Sequence, residues 1–244
     1  MGAQIISAAI YFHMKQTGRA VYADLSYFNQ PERLAVVGNA GDCTHWGWQL
    51  SPFGLELSSF ETDPALNKRN AKVIEDGVEK LELALKALAD SSVQEAFPIP
   101  TDPSDILDAE LQGDYLCIHV RRGDYVNVSS HLVRDEEFVA LAARFAGLVK
   151  RVVVLSDSPI SEALKTDVAR LFERSSFLDN TDAYAAHRIM RGSRILVCSN
   201  SQFSLIGAML NPRALLVIPK QWFGEEFRAL EKPLGAMCQF QIVG

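Results

Sequence analysis

Residues 115–125 read Tyr-Leu-Cys-Ile-His-Val-Arg-Arg-Gly-Asp-Tyr, and the six residues before the arginine pair predict the fold of this region. Such a nearly continuous apolar run is typical of a strand that is buried on both faces of a parallel sheet. Similar short apolar runs follow at 152–155, 194–198 and 214–218. Because helical patterns separate these runs, the region is predicted to form βαβ units and a doubly wound parallel sheet of the α/β class.

The helices between these strands are indicated by apolar residues spaced three and four apart. They are predicted over residues 138–148, 160–171, 182–191 and 203–210. The amino-terminal part of the chain shows a less distinct α/β pattern, with a helix over 5–18, a short strand over 20–25 and a helix over 74–88. The stretch 97–103 is rich in proline and breaks all periodicity, so it is the best candidate for a linker.

The charge and cysteine content excludes several classes of protein. The 244 residues include 24 Lys and Arg against 30 Asp and Glu, a net charge of −6, which argues against a general nucleic-acid binder. A small anionic ligand held by one or two arginines remains compatible with that charge. The four cysteines lie far apart without a Cys-x-x-Cys pair, so neither a zinc ribbon nor a disulfide framework is indicated.

The chain also lacks the features of membrane and secreted proteins. No run approaches the ~18 apolar residues of a membrane span. The amino terminus lacks the basic and apolar regions of a signal peptide. We therefore expect a reducing, cytoplasmic setting, with no transmembrane segment.

Two polar segments follow predicted strands, at the edge where open parallel sheets bind ligands. The first, 119–125, contains His119, the pair Arg121-Arg122 and Asp124, and an arginine offers a planar fork of donors that suits phosphate oxygens. The second, 199–204, begins a helix whose backbone N–H groups favour anions. Together they predict a diphosphate clamp that needs no metal.

Each segment also has an ordinary structural interpretation. An arginine pair after a strand is often a surface salt-bridge pair, and Asn-Ser before a helix is a common cap. His119 could equally be a core histidine that holds the loop. The chain has no Asp-x-Asp, no Gly-x-Gly-x-x-Gly and no P-loop, which disfavours metal-dependent, nicotinamide and NTPase functions.

Residues 118–126 closely resemble the His-x-Arg-Arg-x-Asp signature of the α-1,2-fucosyltransferases. Further segments resemble motifs of that family in the same order. They are Gly2-Ala3-Gln4 with the stretch 21–28, Leu155-Ser156-Asp157 (Phe-Ser-Asp in the family), 182–190 (an Asp-x-x-x-Met helix), 198–204 (Ala-Asn-Ser-x-Phe-Ser) and 219–222 (Pro-x-x-Trp).

The resemblance implies two Rossmann-like domains of the GT-B type. Residues 1–104 would be the acceptor-side α/β domain and 105–244 the GDP-sugar-binding domain. The implied reaction transfers fucose from GDP-fucose to a galactose-containing glycan, with inversion, in α-1,2 linkage and without a metal. The implied partners are GDP-fucose and an oligosaccharide acceptor, and the resemblance also allows a peripheral association with a membrane.

The resemblance also implies roles for individual residues. Arg121, Asp124 and His119 would form the catalytic group, with Arg121 on the donor diphosphate and Asp124 as the candidate base. The residues implied in donor binding are Arg121, Arg122, Ser156, Asp157, Asn200, Ser201, Phe203 and Ser204.

The chain departs from the family pattern at three places. Leu205-Ile206 stand where the family has two tryptophans, and Ala3 replaces an asparagine. The family's first apolar strand does not precede Met1, so we expect the amino-terminal sheet to lack it or the chain to start late. The alternatives are a non-catalytic or degenerate GDP-sugar-binding protein, or a transferase that uses another GDP-sugar.

Overall fold

The computed structural model describes most of the chain and divides it into two compact units, Met1–Pro98 and Ile99–Gly244. The described residues are 1–29, 47–65, 72–74, 77–99, 114–127, 132–211, 213–219 and 240–243. The predicted linker lies partly outside them, because its residues 100–103 are not described.

The first unit is built from helices and a core of aromatic rings. Its helices are α1 (Gly2–Gln16), α2 (Val78–Leu88) and the short α3 (Ser91–Gln94), with 3-10 turns at Ser26–Asn29, Ser51–Phe53 and Leu57–Ser59. Helix α1 packs against α2. The rings of Phe12 and Trp48 both contact that of Phe60, tilted and edge to face respectively, within a cluster that Tyr11 and Phe97 extend.

The strand predicted over residues 20–25 is wrong. This stretch has no regular structure, and the backbone hydrogen bond from Ala23 N to Glu61 O (2.8 Å) is an isolated one rather than part of a ladder. The described residues of this unit contain no strand. A second Rossmann-like sheet is therefore not seen in the part of residues 1–104 that the structure describes.

The second unit contains the parallel sheet that the sequence predicts. Its strands are β1 (Tyr115–Val120), β2 (Arg151–Ser156), β3 (Arg174–Leu178), β4 (Ile195–Val197), β5 (Leu215–Pro219) and β6 (Phe240–Val243). They lie in the order β3-β2-β1-β4-β5-β6, and all neighbours are parallel. This is the strand order of dinucleotide-binding Rossmann folds.

Helices cover both faces of this sheet, as in a doubly wound fold. They are α4 (Asp135–Phe145), α5 (Glu162–Ala169), α6 (Ala183–Gly192) and α7 (Gln202–Met209). Leu116 and Ile118 pack in one core with residues of α4 and α5. Tyr115 points to the opposite face, where its hydroxyl donates to Ile189 O of α6 at 2.6 Å. The alternation of side chains along β1 thus explains why nearly every residue of this strand is apolar.

Candidate functional site: the crevice between strands β1 and β4

Strands β1 and β4 are neighbours in the middle of the sheet, and the chain leaves them in opposite directions. From β1 it continues through α4 to β2, whereas from β4 it continues through α7 to β5. Such a reversal of strand order opens a crevice at the carboxyl ends of the strands, where ligands of this fold class bind. Both polar segments that the sequence singles out begin at this crevice.

A hydrogen-bonded chain of uncharged side chains joins the two segments. His119, at the end of β1, is buried, and its Nδ1 lies 2.9 Å from Ser199 Oγ. Ser199 Oγ lies 3.5 Å from Ser204 Oγ in the first turn of α7. Ser204 Oγ also lies within hydrogen-bond distance of Ser201 O, at 3.1 Å. These contacts connect residues 199–204, the serine turn, to β1.

The surroundings of His119 keep its imidazole neutral. Its pKa is lowered to about 4, chiefly by burial, while the charge of Asp157 raises it and that of Arg121 lowers it by less. At neutral pH the ring therefore carries one proton. Depending on the tautomer, Nδ1 either donates a hydrogen bond to Ser199 Oγ or accepts one from it. These contacts fit the structural interpretation of His119, in which it holds the loop.

The amino terminus of α7 is capped by Ser201, and the aromatic ring of Phe203 lies in its first turn. Ser201 Oγ accepts a hydrogen bond from Phe203 N at 3.2 Å and so caps the helix. The ring of Phe203 lies between His119 (5.5 Å) and His187 (5.8 Å), measured between ring centroids. Asn200, the residue before the cap, is half-buried. The first turn of a helix carries a partial positive charge, so this end of α7 favours an anion.

The two adjacent arginines have different partners. Arg121 Nη1 lies 2.7 Å from Asp157 Oδ2, and the guanidinium lies over the ring of Tyr125, 5.4 Å from its centroid. The Arg121 side chain remains 19% exposed. It is therefore a partly hydrated cation at the crevice, held on one side by a carboxylate.

The guanidinium of Arg122 is bound to helix α4 and the residues before it. Arg122 Nη1 donates to Val133 O at 2.9 Å, and Nη2 pairs with the carboxylate of Asp135 in the first turn of α4. Its cation also lies over the ring of Phe138, at 5.7 Å. These contacts anchor the loop after β1, and the donor contact of Arg122 that the resemblance implies stays a prediction.

The end of β2 supports the same loop. Asp157 Oδ1 accepts a hydrogen bond from Arg122 N at 2.9 Å, and Ser158 Oγ accepts one from Gly123 N at 3.1 Å. Ser156 is buried, and its Oγ accepts a hydrogen bond from Ser158 N at 3.1 Å. Ser156 thus shapes the turn that presents Asp157 and Ser158.

Some of the residues and motifs singled out by the sequence lie outside the described residues or in the first unit. The backbone of Asp124 lies in a 3-10 turn, Gly123–Asn127, but its side chain is outside the described part of the chain. The segment after Pro219 that resembles Pro-x-x-Trp is likewise outside it. Gln4 binds its own unit, donating to Gly47 O and accepting from Gln49 N.

Three residues that support the loop after β1 were not predicted from the sequence. Tyr125 stands in the quoted stretch, and its ring type was a usable signal for a cation contact. Ser158 and Asp135 follow a strand and begin a helix, as many polar residues do, so nothing in the sequence distinguished them. A cavity of about 510 Å³ lies beside Arg122 and Asp135, between this loop and Ser158, Ser161 and Leu164.

The comparison with protein families supplies an identification. The model of glycosyl transferase family 11 matches residues 105–236, which is more than half of the chain. The chain belongs to this family. It is the α-1,2-fucosyltransferase family, whose motifs resemble residues 119–125 (the arginine loop) and the serine turn. No curated protein and no solved structure matches the chain significantly.

Membership in family 11 makes the chain a glycosyltransferase of the fucosyltransferase type. It implies a sugar-nucleotide donor and a glycan acceptor. No helix among the described residues is both long and apolar enough to cross a membrane. Those residues also contain no group of three or more His, Cys, Asp or Glu side chains that could hold a metal ion.

Proposed function

We propose that this family 11 chain transfers fucose from GDP-fucose to a galactose-containing glycan, forming an α-1,2 linkage with inversion at the fucose carbon. One observation carries the proposal. Arg121 follows β1 and the serine turn follows the neighbouring strand β4, so both lie at the carboxyl ends of adjacent strands. A cation and a helix amino terminus that border one crevice suit a diphosphate.

The donor diphosphate would lie between Arg121 and the first turn of α7. Arg121 carries its N–H donors in a planar fork that suits phosphate oxygens, and its side chain is 19% exposed. Asn200 and Ser201 would contribute the polar wall on the other side, with Ser204 and Phe203 behind them. In this arrangement the donor bridges the charged and the uncharged segments.

Loss of GDP from the sugar develops negative charge on the β-phosphate. A cation and backbone N–H groups that are already in place stabilise that charge more strongly than they stabilise the intact donor. We propose that these groups replace a metal ion in neutralising the leaving group. Inversion also requires a base on the opposite face of the sugar to accept the proton of the acceptor hydroxyl. Asp124 is the proposed base.

Titration calorimetry with GDP, UDP and GDP-fucose tests donor binding, and transfer to lactose tests catalysis. We expect GDP and GDP-fucose to bind more tightly than UDP, transfer to lactose, and unchanged turnover in EDTA. Inhibition by EDTA that Mg²⁺ or Mn²⁺ reverses would contradict the proposed metal independence. Binding of GDP without transfer or donor hydrolysis would instead indicate a non-catalytic GDP-sugar-binding protein, and tighter binding of another GDP-sugar a different donor.

A further inference from the structure

The carboxylate of Asp157 is the common partner of both arginines. Its Oδ2 pairs with Arg121 Nη1 at 2.7 Å, and its Oδ1 accepts the backbone N–H of Arg122 at 2.9 Å. Asp157 follows β2 directly, and Arg121 follows the neighbouring strand β1 directly. One side chain therefore fixes both the backbone and the guanidinium at the point where the chain leaves β1.

The same carboxylate occupies space that only a glycine leaves open. A Cβ atom on Gly123 would lie 2.6 Å from Asp157 Oδ2, closer than such atoms approach, and Gly123 adopts a φ of +29°. A side chain at this position would have to displace the carboxylate from Arg121. The glycine of the arginine loop thus makes room for Asp157.

Asp157 is unsuited to contact the donor phosphates itself. An ionised carboxylate accepts hydrogen bonds but donates none, and it repels a phosphate. Both of its oxygens already accept from protein donors. Its influence on a diphosphate must therefore pass through the arginine that it holds.

We infer that Asp157 is a positioning residue, which restrains the Arg121 guanidinium in the orientation that a diphosphate in the crevice requires. This inference rests on the proposed function, since Arg121 must contact the donor for its orientation to matter. It also replaces the direct donor contact that the family resemblance implies for Asp157.

The variant Asp157→Asn separates orientation from folding. An asparagine keeps an oxygen for the Arg122 N–H but loses the charge that holds Arg121. Asp179→Asn is the matched control, because Asp179 directly follows β3, accepts Ile160 N at 2.8 Å and pairs with Lys165 at 3.2 Å. Thermal unfolding of both variants reports any general loss of structure.

The first readout is the ¹⁵N NMR spectrum of the arginine side chains, with the Arg121 signals identified by their absence in Arg121→Ala. We expect restricted rotation of the Arg121 guanidinium in the wild type and in Asp179→Asn, and free rotation in Asp157→Asn. Unchanged rotation in Asp157→Asn would overturn the inference. This readout requires no enzymatic activity, so it tests the restraint of Arg121 by Asp157 even if no transfer from GDP-fucose is found, a result that would refute the proposed function and not the restraint.

The second readout is a double-mutant cycle on the turnover of GDP-fucose. We expect Asp157→Asn to lower kcat by about 10- to 100-fold, as loss of a partner that orients a functional group typically does. In the Arg121→Ala background the same change should have no further effect, because the group that it positions is absent. An equal loss in both backgrounds would show that Asp157 acts on the donor directly, and would overturn the inference.

Discussion

The two sides of the crevice between β1 and β4 are held together by different interactions. On the side of β1 and β2, the ion pair of Arg121 with Asp157 connects the strand ends, with side chains that are 19% and 24% exposed. On the side of β4 and α7, hydrogen bonds of His119, Ser199 and Ser204 make the connection, and these three residues are at most 4% exposed.

This difference follows from the cost of removing charge from water. A buried neutral hydroxyl that keeps its hydrogen bonds costs little, whereas a fully buried ion pair loses hydration that its mutual attraction does not always restore. The neutral side can therefore be almost completely buried. The charged side stays partly exposed, so its ion pair keeps part of its hydration.

The largest expected effect separates the two arginines of the charged side. Arg121→Ala should lower kcat by about 100- to 1,000-fold, the usual cost of losing one donor to a developing anion. Its free energy of unfolding should fall by no more than about 1 kcal/mol, because Asp157 keeps the backbone N–H of Arg122 as a partner. Steady-state kinetics with GDP-fucose and urea unfolding measure the two quantities.

Arg122→Ala is the matched control, and we expect the opposite pattern. Its loss removes the donor to Val133 O and the cation that pairs with Asp135, so the free energy of unfolding should fall by about 1–3 kcal/mol. The loss of kcat should be much smaller than in Arg121→Ala. Equal kinetic losses in both variants would contradict the division of roles.

That division could not be predicted from the sequence, although the location of the site could. A strand buried on both faces, such as β1, announces itself as a continuous apolar run, and the rule for open parallel sheets then gives the edge that binds ligands. The partners of Arg121 and Arg122, however, lie on β2 and α4. Which arginine turns to which element depends on packing that spacing along the chain does not encode.

Strand β3 and the first unit show the same limit. The residues of β3, Arg-Ser-Ser-Phe-Leu, are exposed or only half-buried at the edge of the sheet, so no apolar run marked them. In the first unit, aromatic rings on turns and on α1 form the cluster around Phe60. Such a core has no period of two or of 3.6 residues, and the short apolar stretch at residues 20–25 was therefore misleading.

A change in stability of intermediate size is expected when a fall in pH protonates the buried histidines His119 and His187. Burial lowers the pKa of His119 to about 4 and that of His187 to about 3, whereas an unfolded histidine titrates near 6.5. Between these values the unfolded chain binds protons that the folded chain does not, so stability falls as the pH falls. Each histidine should cost about 2 kcal/mol between about pH 6.5 and pH 5.

Urea unfolding across this pH range measures that slope. His187→Gln removes one of the two lowered histidine titrations found among the described residues and leaves His119 in place, so the part of the slope due to these two histidines should be about half as steep. The carboxyl groups whose pKa is lowered, Asp90 and Asp179, start below 3.8 and do not contribute in this range. The same slope in wild type and variant would show that His187 is not a buried neutral group.

The smallest expected effect tests whether the hydrogen bonds of His119, Ser199 and Ser204 contribute to ligand binding. Ser199→Ala removes the hydroxyl between His119 and Ser204, and Ser193→Ala removes another buried hydroxyl, which donates to Met190 O at 2.7 Å at the end of α6. Both should lower the free energy of unfolding by about 1–2 kcal/mol. Only Ser199→Ala should also weaken GDP binding in calorimetry, because its hydroxyl fixes the first turn of α7 against β1, whereas Ser193 lies outside the crevice. If the two variants bound GDP equally well, the serine turn would be part of the core alone, and the charged side would have to hold the diphosphate without it.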